Sequence, residues 1–526
     1  MPRRPAPRRS VPRRPAPRPA LALASVCLAA FAINLDTTIV NVALPDLGRQ
    51  LQATTRDLQW IVDGYNLAFA SLVLTAGSLG DRFGRRPALL TGLAGFAITS
   101  TVGAAAGSSG ALIAVRFAMG ACAAVIFPTT LSVITNCYPD RRQRAKAVGL
   151  WGAVTGLGVA VGPVVGGLLL ARFAWPSVFL ALVPVALLAL VAAWRWVPES
   201  SDPSNARLDP PGLLTASAAI GILVYTIIEA PARGWDQPAT LAGFAAAAAL
   251  TVAFVMIERG RRHPMVDVTL FRTPAFSAAS AAVTVAFFAL FGFIFLVTQY
   301  FQFIRGYGPL ATGVRILPVA VTIAVGSLGG VALAARAGTR AVVTAGLLML
   351  AASFGWIALS PAFQSYGLIV GQMVLMGLGL GMTTAPATES ILSVLPPAKA
   401  GVGSAVNDAT RETGGTLGVA VVGSVFTSLY ASHLATTAFS TLPAGTLSAA
   451  KGSVASALRT ADTAAAGAGP DLRAAVRDAF MNGFHIACAV GVGVCLLGAA
   501  LALALPGAHS TPAPSDALRT PAPLNR

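Results

Sequence analysis

Charge is what this sequence has least of. Asp, Glu, Lys and Arg make up 11% of its 526 residues, hydrophobic residues make up 55%, and mean hydropathy is +0.72. A soluble domain carries about 25% charged residues, so a water-facing surface for a chain this long cannot be assembled from so few. That excludes a soluble enzyme of ordinary design and a large disordered protein. Cysteine is also scarce. Cys27, Cys122, Cys137, Cys488 and Cys495 lie in or beside apolar runs with no CxxC spacing, and read as small buried apolar residues. The four histidines are scattered. The absence of a Walker loop, GxSxG and HExxH argues against an enzyme and against ATP-driven pumping by this chain alone, and no metal or cofactor is expected. The class left is an all-α polytopic membrane protein, with lipid in place of water around most of its surface.

What the chain has in abundance is long apolar runs. Fourteen are of spanning length, at 21–45, 58–80, 88–107, 111–136, 146–170, 175–197, 211–230, 239–258, 275–303, 311–334, 341–360, 366–393, 402–430 and 481–505. The net charge of +17 is distributed in register with them. With the N-terminus inside, 25 Lys and Arg fall on the cytoplasmic side and ten on the outer side, while Arg116 and Arg411 lie within spans. Such a bias places both termini in the cytoplasm. Residues 1–20, with RRPAPR twice, are expected to be a disordered basic tail attracted to an anionic leaflet, and 506–526 a second disordered tail. Nucleic acid is not the expected partner of that tail, because no folded soluble domain accompanies it. Residues 431–480, rich in Ala, Ser, Thr and Gly, read as a long outer loop, with Leu472, Val476 and Phe480 on one face of a short surface helix at its end.

An internal repeat divides the chain. RFGRRPALLTGL at 82–93 parallels RAGTRAVVTAGL at 336–347, and LGVAV at 157–161 recurs at 417–421. Two matches in the same order at nearly the same shift imply related halves, a transporter architecture. The expected domains are a six-helix half at 21–197, two inserted helices within 198–258, and a second six-helix half at 259–505.

Six groups of residues carry candidate chemistry. In GSLGDRFGRRPALL, Gly77 and Gly80 permit close helix approach and Gly84 a tight turn, while Asp81 sits among Arg82, Arg85 and Arg86 where helix ends can be bridged. Gly158, Gly162 and Gly166 recur every four residues beside Pro163 and Gly167, a smooth packing face with a built-in bend. Asn34, Thr37, Thr38 and Asn41 share a helical face, the candidate cavity stripe, together with Asn407 from the second half. Asp36 lies about 22 Å into the first span at 1.5 Å per residue and nearly opposite Asn34, so it points toward a neighbouring helix. An acid at that depth is either a proton carrier or one side of a static pair, and Arg116, too costly to face lipid, is a candidate partner. At the position of Arg116 in the second half stands Gln372. Asp408, Arg411 and Glu412 form a local charged patch at i, i+3 and i+4 in the thirteenth span. The aromatics crowding the ninth span, among them Phe287 and Phe291, are lipid-facing bulk or walls that stack aromatic substrates.

The loop at 77–90 resembles the signature loop of the major facilitator superfamily. LIAVRFAMGACAAVIFP at 112–128 resembles that family's second motif, with Arg116 as its intramembrane arginine, and GLGVAVGPVVGG at 156–167 resembles its antiporter motif. LDTTIVNVALP at 35–45 and WIVDGYNLAFA at 60–70 look like the opening spans of the fourteen-span drug:proton antiporters. The resemblance implies a major facilitator fold of two six-helix halves plus two central helices. It implies proton-coupled export of hydrophobic or amphipathic drugs, with resistance to antibiotics as the consequence. Proton coupling is expected at Asp36, Arg116, Asp408 and Glu412. The expected partners are a small hydrophobic substrate, protons and the lipid of the cell inner membrane, with the chain a monomer. The alternative is a proton-coupled symporter for a nutrient or metabolite on the same fold.

Overall fold

The computed structural model describes residues 19–201, 209–261, 268–393, 400–464 and 468–506. The expected basic and C-terminal tails lie almost wholly outside these residues. Every regular element among the described residues is helical, as a lipid-embedded backbone requires, since only intrahelical hydrogen bonds satisfy its N–H and C=O groups there.

In chain order the helices are α1 (Pro19–Gln50), α2 (Thr55–Phe83), α3 (Arg85–Ala104), α4 (Ser109–Cys137), α5 (Arg141–Leu170), α6 (Pro176–Leu180) and α7 (Leu182–Trp196). Next come α8 (Pro210–Arg233), α9 (Pro238–Gly260), α10 (Pro274–Gln299), α11 (Pro309–Ala337), α12 (Thr339–Ala358) and α13 (Tyr366–Ser393). The chain finishes with α14 (Ala400–Leu434), α15 (Ala444–Gly452), α16 (Val454–Thr463) and α17 (Ala468–Ala502). Side chains set several starts. Thr54 and Asp57 form a reciprocal capping box on α2, Ser108 caps α4 and Asp140 caps α5.

Among the described residues thirteen helical stretches are long and apolar enough to cross a membrane, and the chain is a multi-pass membrane protein. α2, the second of the fourteen runs expected from sequence, is not among them although it has 29 residues. Its apolarity is diluted by Gln59, Asp63 and Asn66, which the fold buries.

The repeat is realised in three dimensions. α1 packs on α5 and α7 as α10 packs on α14 and α17, α2 packs on α4 as α11 on α13, and α3 packs on α4 and α7 as α12 on α13 and α17. The paired loops match in detail. Gly84 and Gly338 both have positive φ, 119° and 84°, a conformation open to glycine. The Arg85 N–H donates to Ser200 O and the Arg340 N–H to Pro506 O, while the Arg86 and Arg340 guanidinium groups donate to Trp194 O and Leu503 O. Each loop therefore docks on the end of its own half.

The halves meet where α2 lies against α14 and α5 against α11. α8 and α9 stand outside the repeat. α8 packs on both α2 and α14, with Trp60 and Tyr225 rings 6.1 Å apart and an Arg56–Glu229 ion pair of 3.2 Å.

The expected loop at 431–480 is largely helical. α14 runs on to Leu434, α15 and α16 form a hairpin, and α17 begins at Ala468. Leu472, Val476 and Phe480 belong to α17 and are buried, because no helix breaker separates them from the span that follows. The hairpin sits over the ends of α1 and α14. Arg459 donates to Arg49 O (3.1 Å), and the Tyr430 hydroxyl donates to Ala450 O (3.2 Å). The end of α1 and the start of α17 therefore share one side, the far face, and the start of α1 and the end of α17 share the other, the terminal face.

Candidate functional site

α1 divides its side chains between two environments. Asp36 faces α4, where Arg116 Nη1 lies 2.8 and 2.7 Å from its two carboxylate oxygens. Arg116 Nε donates to Ile61 O at 2.9 Å, and its guanidinium lies 4.3 Å from the Tyr65 ring centroid. The side chains are 2% and 0% exposed. The pair is net neutral and its donors are largely used, which is what a buried ion pair needs to offset its desolvation. The same place in the second half is occupied without charge. Gln372 exchanges hydrogen bonds with Gln364 and donates to Ser360 Oγ at 2.8 Å.

The other face of α1 lines a cavity between the halves. Asn34, Thr37 and Thr38 form one wall. Phe69 of α2, Phe127 of α4 and Phe287 and Phe291 of α10 supply aromatic surface, and Arg411 and Glu412 of α14 supply charge. Arg411 stacks 4.5 Å from the Phe287 ring centroid and lies 3.7 Å from Asp408. Glu412 Oε2 is buried without a hydrogen-bond partner among the described residues. An acid on an aromatic wall suits a cationic or amphipathic guest better than a sugar, whose hydroxyls would need a dense set of polar partners.

Two expected wall residues are elsewhere. Asn41 is buried and donates to Thr37 O within α1, and Asn407 accepts from Thr388 Oγ1 at 2.9 Å. Phe69 and Phe127 went unnoticed in the sequence. Both sit inside motifs, NLAFA and VIFP, where an aromatic among small residues was the available signal.

The glycine face of α5 seats this helix on α1. A Cβ at Gly158 would lie 2.9 Å from Phe31 O, one at Gly162 would collide with Thr38 Oγ1, and one at Gly166 would lie 3.0 Å from Ile39. Gly167 faces the first turn of α11, with Pro309 O and Leu310 Cα 2.7 Å from a would-be Cβ, and Gly313 of α11 abuts Pro163. The motif thus brings α5 against α1 in its own half and α11 in the other. Further contacts between halves also lie toward the far face. Gln59 donates to Ala420 O at 3.2 Å and Gln302 donates to Val42 O at 2.9 Å. Nearer the terminal face, Gly149, Gly152 and Gly156 have no neighbour within 4 Å of a would-be Cβ.

In the last turns of α2, Gly77 packs on Pro128 and Gly80 on Thr129, so that end of α2 is seated on α4. The Arg82 guanidinium lies 5.5 Å from the Phe83 ring centroid. The side chain of Asp81 lies outside the described residues.

Two pseudo-symmetric six-helix halves around a central cavity, with a charged pair buried in one half, define a membrane transporter. The chain belongs to the Major Facilitator Superfamily, whose sequence profile matches residues 26–419. It is 36% identical over 405 residues to the multidrug resistance protein Stp of Mycobacterium tuberculosis, covering 77% of this chain and 75% of that one. It is 34% identical to the multidrug efflux pump LfrA of Mycolicibacterium smegmatis, covering 92% and 94% of the two chains. With the puromycin resistance protein pur8 of Streptomyces alboniger the figures are 33%, 92% and 90%. In fold it is similar to a bacterial homolog of the human lysosomal transporter Spinster, crystallised inward-facing and unoccupied. That likeness has a TM-score of 0.65 at 15% identity, over 93% of this chain and 98% of that one.

Proposed function

We propose that this chain is a proton-coupled antiporter that exports hydrophobic or amphipathic drugs, antibiotics among them, across the cell inner membrane. The observation that carries the reading is the cavity between the halves, with aromatic walls from α2, α4 and α10 and the carboxylate of Glu412. The efflux and resistance names of its relatives support the same reading. In this proposal α2 is the fourteenth span, its polar residues turned inward, and the terminal face is cytoplasmic. The chain works as a monomer and is a carrier, not an enzyme.

Alternating access gives each group a role. Far-face contacts at Gln59, Gln302 and Gly167 close the cavity from outside while substrate enters from within. Asp36 exchanges its hold on Arg116 for a proton taken from outside, so the pair opens and closes in step with the halves. Asp408 and Glu412 balance Arg411 and sense the charge of the guest. The loop at 77–86, with Asp81 and its arginines, holds helix ends together on the cytoplasmic side in the opposite state.

Inverted membrane vesicles with an imposed proton gradient test the reading. They should accumulate a cationic dye such as ethidium, and an uncoupler should abolish the uptake. Gradient-driven movement of a sugar or amino acid in place of every amphipathic compound tried would establish a symporter instead.

A further inference from the structure

Outside the transport pathway, the far face of the second half carries cations that lack counter-ions. Arg305 follows a π-helical turn at Tyr300–Ile304 and Arg315 lies two turns into α11. Both guanidinium groups address the ring of Tyr307, at 5.6 and 4.2 Å from its centroid, which puts them within about 10 Å of each other. Arg315 also lies 5.5 Å from the Tyr366 ring, and Arg305 lies 5.8 Å from that of Phe363. Among the described residues neither has a carboxylate within ion-pair distance.

Their donors are under-used. A guanidinium offers five N–H groups. Arg305 gives one to Gln364 O at 2.8 Å and one to Tyr307 Oη at 3.1 Å, and it also engages the Tyr300 hydroxyl. Arg315 gives one to Ala311 O at 3.2 Å, and its Nε is buried without an acceptor. Stacking on tyrosine holds such a group in place without neutralising it. Cations on this face also run against the bias that orients the chain.

Apolar surface continues from the same helix. Val314, Val321, Val325 and Leu328 recur at helical spacing along α11 and are 46%, 60%, 57% and 78% exposed. A partner with a negative head and apolar tails matches both parts at once. We propose that Arg305 and Arg315, framed by Tyr307 and Tyr366, bind the phosphodiester headgroup of an anionic glycerophospholipid whose acyl chains lie along α11. A free phosphate would satisfy the arginines and leave the stripe unused.

Native mass spectrometry of the detergent-purified full chain tests this, with phosphatidylglycerol, phosphatidylcholine and inorganic phosphate as probes. The wild type should retain phosphatidylglycerol at least fivefold over phosphatidylcholine. The double variant Arg305→Gln/Arg315→Gln should lose that preference, and Arg473→Gln, which removes an exposed cation elsewhere on the same face, should keep it. An unchanged preference in the double variant overturns the site. Displacement of the lipid by millimolar inorganic phosphate overturns the lipid assignment in favour of a soluble anion. Should the double variant fail to accumulate, the wild type decides alone, and a preference below twofold overturns the proposal.

Discussion

Replacing Asp36 with asparagine separates a coupling role from a structural one. The substitution keeps shape and removes one charge. Arg116, which holds two short contacts to that carboxylate at 1% exposure, is left with Ile61 O and an amide. Stranding one member of a buried ion pair costs about 3–5 kcal/mol, so the single variant should melt lower by on the order of 5 °C. The second half supplies the control, because Gln372 occupies the matching place with its partners all neutral. Asp36→Asn combined with Arg116→Gln copies that solution, and should recover most of the lost stability. It should not recover gradient-driven export, since no group there can then release a proton. The assays are a thermal melt of the purified protein and ethidium uptake into inverted vesicles at matched abundance. Recovery of both stability and proton-driven flux in the double variant would refute a coupling role. So would wild-type flux in the single variant, and the role would pass to Asp408 or Glu412.

The remaining predictions address packing, charge and orientation. Gly162→Val should drive α5 from α1 and abolish transport, with a stability cost of about 1–3 kcal/mol from overpacking, while Gly152→Ala, in open space, should transport as wild type. Glu412→Gln should reduce export of cationic dyes at least tenfold and leave neutral substrates within about twofold, checked by accumulation assays with both kinds, since it removes a carboxylate from the cavity wall. Asp81→Asn should impair transport at near-normal membrane abundance. Wild-type flux would dismiss the latch. On a background lacking the five cysteines, Ser448→Cys in the exposed hairpin should be labelled by an impermeant maleimide in sealed cells and Lys146→Cys should not. The opposite pattern would reverse the topology.

Much of this protein was legible in one dimension. Length and hydropathy dictate spanning helices because the bilayer fixes both, and the repeat at 82–93 and 336–347 announces two halves that do adopt matching loops at Gly84 and Gly338. Helical periodicity also placed Asn34 and Thr38 on one face of α1 and Asp36 on the other, and a cavity and a buried pair are found on those two faces. Periodicity gives the direction of a side chain around its own axis. It does not give the height at which two helices cross, so only the tertiary structure joined Asp36 to Arg116 across 80 residues and set Phe69 and Phe127 beside Phe287. The same limit explains Asn41 and Asn407, which lie on plausible faces but are engaged with Thr37 O and Thr388 Oγ1 and are not among the residues lining this cavity. It explains residues 431–480 as well. Their Ser, Thr and Gly read as loop, yet Ala, the best helix former, recurs among them, and contacts to the ends of α1 and α14, invisible in a local window, seat the helices that form.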